Sequence, residues 1–392
     1  MPINAAGRIN RVQAPATTSA GERARELERQ GVDVIDLGQS SPHYVTPDHI
    51  VEAGVKALRD GLTNVSFVRG MPEFVEAMAR KLAEHNRITV QSERDILVTP
   101  GSKQGLYDVI NGYIGPGDEV LLIEPTWVSF SQQIELAGGI SVGVALDAES
   151  EYSLSYEILK SHTTSRTKAI VVNNPNNPTG RVYTEAELRD VSRLAQEFNL
   201  LVICDETYEY FLYDGRKHIS IASLPGMWER TVTSFTFTKA YAMAGWRLGC
   251  LVGTSALLEP AVRVHDHTSS FVSPFVQMAG VAALNGAQNH VAAWREECDE
   301  LRLKVAERLN KVAGINCAMP QGATFVFPRY TANLASVDIA KLLIDRAQVV
   351  VTPGVGFGRS AEQHLRIALM RSPADRVIQG VERVANVLEG IG

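Results

Sequence analysis

From Asp95 onward, short apolar runs alternate with longer amphipathic stretches. The runs Ile96–Thr99, Glu119–Ile123, Lys168–Val172, Leu201–Cys204, Thr231–Phe235 and Leu248–Val252 read as strands. Ser102–Ile114 and Thr184–Phe198 carry apolar residues at helical spacing, and Thr184 with Glu187 forms a capping-box pair at the second start. This alternation predicts an α/β fold, a mostly parallel central sheet flanked by helices. Upstream, Ala20–Gln30 reads as a charged helix ending at Gly31, followed by a strand over Val32–Leu37. Thr46-Pro-Asp opens a further helix with Thr46 as N-cap, and Gly70-Met-Pro-Glu opens another with Phe74, Met78 and Leu82 on its apolar side.

After about Asn289 the pattern changes. A long charged helix, Val291–Val312, leads into strands at Ala323–Phe327 and Val349–Val351 with the helix Ser336–Ala347 between them. A last helix starts at Ser372-Pro373. These elements predict a smaller α+β domain. The expected division is 1–45 as a segment joining the small domain, 46–288 as the large domain and 289–392 as the small one, with boundaries good to roughly ten residues.

Composition narrows the function classes. Across 392 residues, 44 acidic against 38 basic side chains give a net charge of −6, with 45% apolar and 21% charged residues. That is ordinary for a soluble globular enzyme, and no basic patch interleaved with aromatics points to nucleic acid. The polar N-terminus and the lack of a long apolar run predict a cytoplasmic protein without a membrane anchor. Cys204, Cys250, Cys298 and Cys317 lie far apart with no C-x-x-C pair, so reduced buried thiols are expected rather than zinc or disulfides. His265 and His267 would share one face of a strand; lacking a third ligand, they read as polar rim or site lining, and no metal site is expected.

The most informative stretch is Ser234-Phe-Thr-Phe-Thr-Lys239-Ala-Tyr-Ala-Met-Ala-Gly-Trp-Arg247. A lysine preceded by hydroxyl residues and followed eight residues later by an arginine can form a Schiff base with an aldehyde cofactor. The hydroxyls and the guanidinium fork can hold a phosphate. Asp205-Glu-Thr-Tyr208 follows an apolar strand, which in open α/β sheets is where ligands bind. A carboxylate there can pair with a protonated ring nitrogen, and Tyr208 can donate to a phenolic oxygen. Asn173-Asn-Pro-Asn-Asn177-Pro-Thr-Gly180 follows another strand as a tight turn. Gly101-Ser102-Lys103 opens a helix directly after a strand, and the free N–H groups of such an end suit a phosphate.

Carried by Asn173–Gly180, Asp205–Tyr208 and Lys239–Gly249, the chain resembles the pyridoxal-phosphate-dependent aminotransferases of class I/II, fold type I, from about Arg11 to the last helix. The resemblance implies pyridoxal 5'-phosphate held by Lys239, with Asp205 on the ring nitrogen and Asn177 and Tyr208 on the ring oxygen. It further implies that Gly101, Ser102, Lys103, Thr236 and Arg247 cup the phosphate and that Trp127 stacks on the ring. Arg366, on the apolar run His364–Leu369, would grip the substrate α-carboxylate with Gly38 and Asn177. Lys103, with Thr17 near it, would meet a distal carboxylate. The same resemblance implies a homodimer with active sites at the interface, for which the apolar run Phe271–Val276 offers a surface.

Three places depart from the family pattern. Val65 stands five residues before Gly70, where a tyrosine is usual, and Phe67 cannot supply the missing hydroxyl. Ser40-Ser-Pro-His43-Tyr44 and Thr324-Phe325 replace the usual residues near the substrate. The expected activity is amino-group transfer between an L-amino acid and a 2-oxo acid. The departures leave open a lyase, cyclase or oxidase acting on the β or γ carbon with the same cofactor. A non-catalytic effector-binding domain would need a DNA-binding segment, for which the stretch before Val32 leaves no room.

Overall fold

The computed structural model describes residues 4–12 and 17–391, with the side chains of residues 17–20 excepted. The side chain of Thr17 therefore lies outside the described residues. In chain order the first elements are α1 (Thr17–Arg29), β1 (Ile35–Asp36), α2 (Asp48–Arg59), α3 (Pro72–Lys81), β2 (Ile96–Thr99), α4 (Ser102–Tyr113), β3 (Glu119–Glu124), α5 (Ser129–Ala137) and β4 (Ile140–Ala145). There follow α6 (Tyr156–Ser161), β5 (Thr167–Asn173), α7 (Glu185–Glu197), β6 (Leu201–Asp205), β7 (Thr231–Thr236), β8 (Gly249–Val252), α8 (Ser255–Thr268), α9 (Pro274–Asn285) and α10 (Asn289–Asn310).

The central sheet has seven strands in the order β2-β8-β7-β6-β5-β3-β4. All neighbours run parallel except β8, which is antiparallel to both β2 and β7. Residues such as Leu97, Val120, Ile170, Ile203, Val232 and Leu251 are fully or almost fully buried. Helices cover both faces, which is why these strands read as continuous apolar runs. The topology brings the C-terminal ends of β2, β3, β5, β6 and β7 to one edge, and the start of β8 meets them there. Gly249 pairs with Thr99 on one side and Thr236 on the other. A Cβ on Gly249 would meet Phe235 O at 2.7 Å and Ser102 N at 2.8 Å, so only glycine lets the three strand ends converge.

The C-terminal part adds β9 (Ile315–Asn316), β10 (Phe325–Val326), β11 (Arg329–Tyr330), α11 (Ser336–Ala347), β12 (Val349–Val350), β13 (Thr352–Pro353), β14 (Leu365–Ala368) and α12 (Ala374–Glu389). β10, β14 and β13 form an antiparallel sheet, while β1 pairs in parallel with β12. Ile35 and Leu37 thereby join a core made by Leu301, Val305, Phe325, Leu365 and Val377. Tyr208, Phe211 and Tyr213 reach into this same core from the end of β6. The loop between β1 and α2 thus lies over the edge where the large-sheet strands end.

Two expectations need correction. Thr46 does not cap α2, whose N-cap is Pro47. The Thr46 hydroxyl instead donates to Ala242 O and accepts from Trp246 Nε1, tying the β1–α2 loop to the segment after Lys239. His265 and His267 lie in the helix α8, not a strand. His265 is fully buried against Asp108 Oδ2 at 3.0 Å, a core pair remote from the site lining. Among the described residues, no helix is long and apolar enough to cross a membrane.

Candidate active site

At the strand-end edge lies a cavity of about 360 Å³, lined by Ser40, Ser41, Ser102, Lys103, Trp127, Asn173, Asn177, Asp205, Thr207, Tyr208, Thr236, Thr238, Lys239, Ala244 and Arg247. Residues far apart in sequence therefore share one small volume. Asn173, Asp205 and Thr236 end strands and Ser102 opens a helix, while Ser40, Ser41, Trp127, Asn177, Ala244 and Arg247 come from the connecting loops.

Lys239 follows β7 and is buried. Its Nζ donates to Ser40 O at 2.7 Å and to Ser40 Oγ at 3.0 Å. Burial, and then the nearby Arg366, pull the amine down to about 7, against the opposing pull of Asp205. Asp205 ends β6, and its Oδ1 accepts from Thr207 N at 3.1 Å and Thr207 Oγ1 at 2.6 Å. Burial raises its carboxyl to about 6 despite those bonds. The buried Tyr208 packs edge-on against Phe325, with Lys239 Nζ 5.7 Å from its ring centroid.

One end of the cavity suits an anion. Gly101 precedes α4 with φ +80°, and a Cβ there would sit 2.5 Å from Arg247 Nη2. The missing side chain leaves room for that guanidinium, which donates to Ala244 O and Pro100 O. Thr236 Oγ1 donates to Thr238 Oγ1 at 3.0 Å, so two hydroxyls stand beside the helix N-terminus. Lys103 Nζ lies 5.1 Å from the centroid of Trp127, whose ring forms one wall. Burial, then Arg247, lowers the Lys103 amine.

Arg366 stands on β14 behind Asn177. Its Nη1 donates to Asn177 Oδ1 at 3.0 Å, and its Nη2 donates to Gly38 O at 2.6 Å and to Thr352 Oγ1 at 3.2 Å. Phe325 and Phe357 face the guanidinium at 4.6 and 4.9 Å. Its Nε has no partner, and burial lowers the group to about 10. Gly38 does not line the cavity. Its N–H donates to Asp36 Oδ1 at 2.9 Å and its carbonyl accepts from Arg366, and from the same loop Ser40 and Ser41 reach the lining. Of the other expected residues, Ser102, Lys103, Trp127, Asn177, Asp205, Tyr208, Thr236, Lys239 and Arg247 line the cavity, Gly101 and Arg366 stand behind it, and Ser40, Ser41, Asn173, Thr207 and Thr238 are added. Thr238 carried a signal in sequence, a second hydroxyl directly before Lys239.

A second polar cluster backs Asp205 and was not anticipated. Glu206 Oε2 accepts from Ser220 Oγ at 2.5 Å and meets His218 Nε2 at 2.8 Å. Lys81 Nζ binds Glu209, and Asn86 Nδ2 reaches Glu206, Glu209 and Ser220. Although Glu206, Glu209 and His218 cluster as metal ligands do, Lys81 already supplies the cation. For His218, burial opposes the charge but Glu206, through charge and hydrogen bond, outweighs it and raises the pKa. A raised histidine stabilises the fold fully below its unfolded value near 6.5 and loses that contribution as pH rises through the folded value. In urea unfolding, H218Q is expected to cost about 1–3 kcal/mol at pH 6 and distinctly less at pH 9. A difference independent of pH would show that His218 is neutral throughout.

The model for the family "Aminotransferase class I and II" matches residues 32–384. A probable aspartate/prephenate aminotransferase of Aquifex aeolicus is 35% identical, over 98% of this chain and 99% of its own length. An aromatic-amino-acid aminotransferase of Thermococcus litoralis is 37% identical, over 92% of this chain and 93% of its own. The crystal structure of an aspartate aminotransferase from Rhizobium meliloti superposes with a TM-score of 0.93 at 30% identity, covering 100% of both chains. Together with these matches, the seven-stranded α/β sheet with its cavity at the strand ends is that of fold type I. The chain belongs to the class I and II aminotransferases, and its activity is amino-group transfer. The family and its relatives favour this over the lyase, cyclase or oxidase chemistry that the sequence departures left open.

Proposed function

We propose that pyridoxal 5'-phosphate is the cofactor of this amino-group transfer, between an L-amino acid and a 2-oxo acid. The observation that carries the proposal is a charge imbalance. Lys103, Lys239 and Arg247 line the cavity and Arg366 stands behind its Asn177 wall; among the described residues none of the four forms an ion pair with a carboxylate, and Asp205 is the one acid in the lining. Lys103 and Arg247 are exposed, but leaving the buried Lys239 and Arg366 unpaired costs free energy unless anions arrive with the ligands. A phosphate and an α-carboxylate meet that need.

The donor set fits the group at each end. Ser102, Thr236, Thr238, Arg247 and the α4 N-terminus would hold the phosphate, in the space that glycine at 101 leaves open. Trp127 would lie against the ring, Asp205 would bind the ring nitrogen, and Asn177 with Tyr208 would donate to the ring oxygen. When bound, the cofactor supplies an electrophilic carbonyl and a sink for the electron pair released at the amino acid Cα. Asp205 holds a proton at the ring nitrogen. Arg366 aligns the α-carboxylate through its fork. Lys239, with its amine brought near neutrality, takes the proton from Cα and returns it, as an amine poised near the working pH does best. The test is a half-reaction with loaded enzyme and one amino acid. Stoichiometric 2-oxo acid without free ammonia is expected; ammonia release would overturn the reading.

We propose a dicarboxylate such as glutamate or 2-oxoglutarate as one substrate. Lys103 supports this as a partly desolvated cation on the lining, beside Trp127 and without a carboxylate partner among the described residues. The relatives named aspartate aminotransferases fit the same preference. Lys103→Ser is expected to lower kcat/KM for glutamate roughly ten- to a hundredfold, as loss of a charge-assisted contact does, and to spare a neutral donor. Equal losses for both donors would remove the claim.

We also propose a homodimer. Val45 and Val65 are 87% and 82% exposed, and an apolar groove lined by Val45, Trp246, Phe271, Phe275 and Val276 runs up to Arg247. A second copy would cover this face, and paired two-fold assemblies are the commonest solution. Light scattering at micromolar protein is expected to give twice the chain mass; a fully active monomer would exclude the dimer.

A further inference from the structure

The β1–α2 loop delivers one side chain that the roles above do not use. Ser40 makes both of the hydrogen bonds to Lys239 Nζ, one through its carbonyl at 2.7 Å and one through its hydroxyl at 3.0 Å. Its hydroxyl also reaches Tyr208, where with Arg366 it opposes the burial that raises the phenol. The loop carrying it is anchored at both ends. On one side Gly38 is bound to Asp36 and Arg366, and on the other Thr46 is bound to Ala242 and Trp246. Ser40 is therefore held by the substrate-binding arginine on one flank and by the segment following Lys239 on the other.

An ammonium has three N–H bonds around its nitrogen. With two of them taken by Ser40, the third proton is the one free to leave. Its departure leaves the lone pair at that vertex. We propose that Ser40 is a positioning residue for the amino-group transfer, fixing through its carbonyl and hydroxyl which face of the Lys239 amine exchanges the substrate proton. In that exchange the Cα–H bond breaks, the proton bonds to the Nζ lone pair and the electron pair passes to the bound cofactor. The same proton is then returned from the same vertex. An amine free to rotate would spend most of its time misaligned, and proton transfer falls steeply with such misplacement. This inference rests on Lys239 being the proton carrier.

The charged groups around this amine are Asp205 at the end of β6, Tyr208 just beyond it, Arg366 on β14 and Arg247 before β8. All four side chains remain in Ser40→Ala, which keeps the carbonyl and loses only the hydroxyl, and among them only Tyr208 gives up a contact to it. A hydroxyl accepting from an ammonium favours the charged form, so its loss lowers the amine pKa. The experiment has two arms. In the full chain freed of cofactor, competitive acetylation across pH with peptide mass analysis reads the titration of Lys239. Its midpoint is expected to move down by roughly one pH unit in Ser40→Ala and to return in Ser40→Thr, which keeps a hydroxyl. In loaded enzyme, single turnover of the amino acid should slow roughly ten- to a hundredfold. The isotope effect with α-deuterated substrate should rise, because proton transfer becomes the slow step.

An unchanged midpoint together with an unchanged isotope effect would overturn the proposal. So would a slower turnover whose isotope effect stays constant, since that pattern marks a structural loss. Borohydride mapping of the cofactor in parent and variant separates this failure from failure of the broader reading. Cofactor on Lys239 in both leaves the cofactor assignment standing whatever Ser40 does, whereas cofactor on another lysine in the parent removes the premise.

Discussion

Lys239→Ala is expected to lower turnover by about four or more orders of magnitude, because in the proposed mechanism one side chain serves as cofactor anchor and as proton carrier. The proposed phosphate contacts of Ser102, Thr236 and Arg247 do not involve Lys239, so the variant should still take up cofactor, though more weakly. The check is twofold. Initial rates at saturating amino acid and 2-oxo acid give the loss, and borohydride reduction of the parent followed by peptide mass analysis should find the cofactor on Lys239. Reduced cofactor on Lys103 or any other lysine would refute the assignment. A stability consequence follows from the amine being held near 7 rather than 10.5. Between those values the unfolded chain binds a proton that the folded, cofactor-free chain does not, so this group's contribution to stability rises with pH across the window. Replacing Lys239 with methionine should therefore stabilise the cofactor-free protein most below pH 7, by an amount on the order of 5 kcal/mol.

The elements that position this chemistry were legible in the sequence because burial on both faces makes the inner strands uniformly apolar. β5 and β6 read directly as apolar runs, while β7 (Thr-Val-Thr-Ser-Phe-Thr) reads as a strand through its β-branched residues, and polar residues end all three: Asn173, Asp205 and Thr236. β4 was missed for the converse reason. It lies at the sheet edge with most of its residues exposed or half-exposed, so Ile140–Ala145 carries no continuous apolar signal. α8 was misread at His265 because two histidines at even spacing suit a strand, whereas the helix is set by the packing of Leu258, Ala261 and His265 against α4. Within the site, motif and strand-end reasoning found the residues on the large sheet. It could not separate Gly38 from Ser40, because which residue of the loop faces the cavity depends on the Asp36 and Arg366 contacts. The Glu206–His218–Lys81 cluster was equally hidden, since three separate segments compose it and only Glu206, within Asp205–Tyr208, lies in a motif.

The second large effect belongs to Arg366. Its guanidinium is 5% exposed, flanked by two aromatic faces and oriented by Asn177, Gly38 and Thr352, yet no carboxylate pairs with it among the described residues. A fork held in this way is preorganised for a planar anion, and the aromatic faces accept its flat shape. Lysine in its place would offer a single point charge that cannot satisfy the three protein acceptors and a carboxylate together. Arg366→Lys is therefore expected to lower kcat/KM by roughly two to three orders of magnitude, the range for breaking a buried charge-paired contact of about 3–4 kcal/mol. The loss should fall on amino acid and 2-oxo acid alike, because both carry the α-carboxylate. The decisive comparison is with the amine that lacks this carboxylate. The parent should strongly prefer the amino acid, and the variant should lose most of that preference while cofactor still maps to Lys239. Equal losses for the amino acid and its decarboxylated amine would mean that Arg366 acts through the fold around Phe325 and Phe357, and its role in gripping substrate would fall.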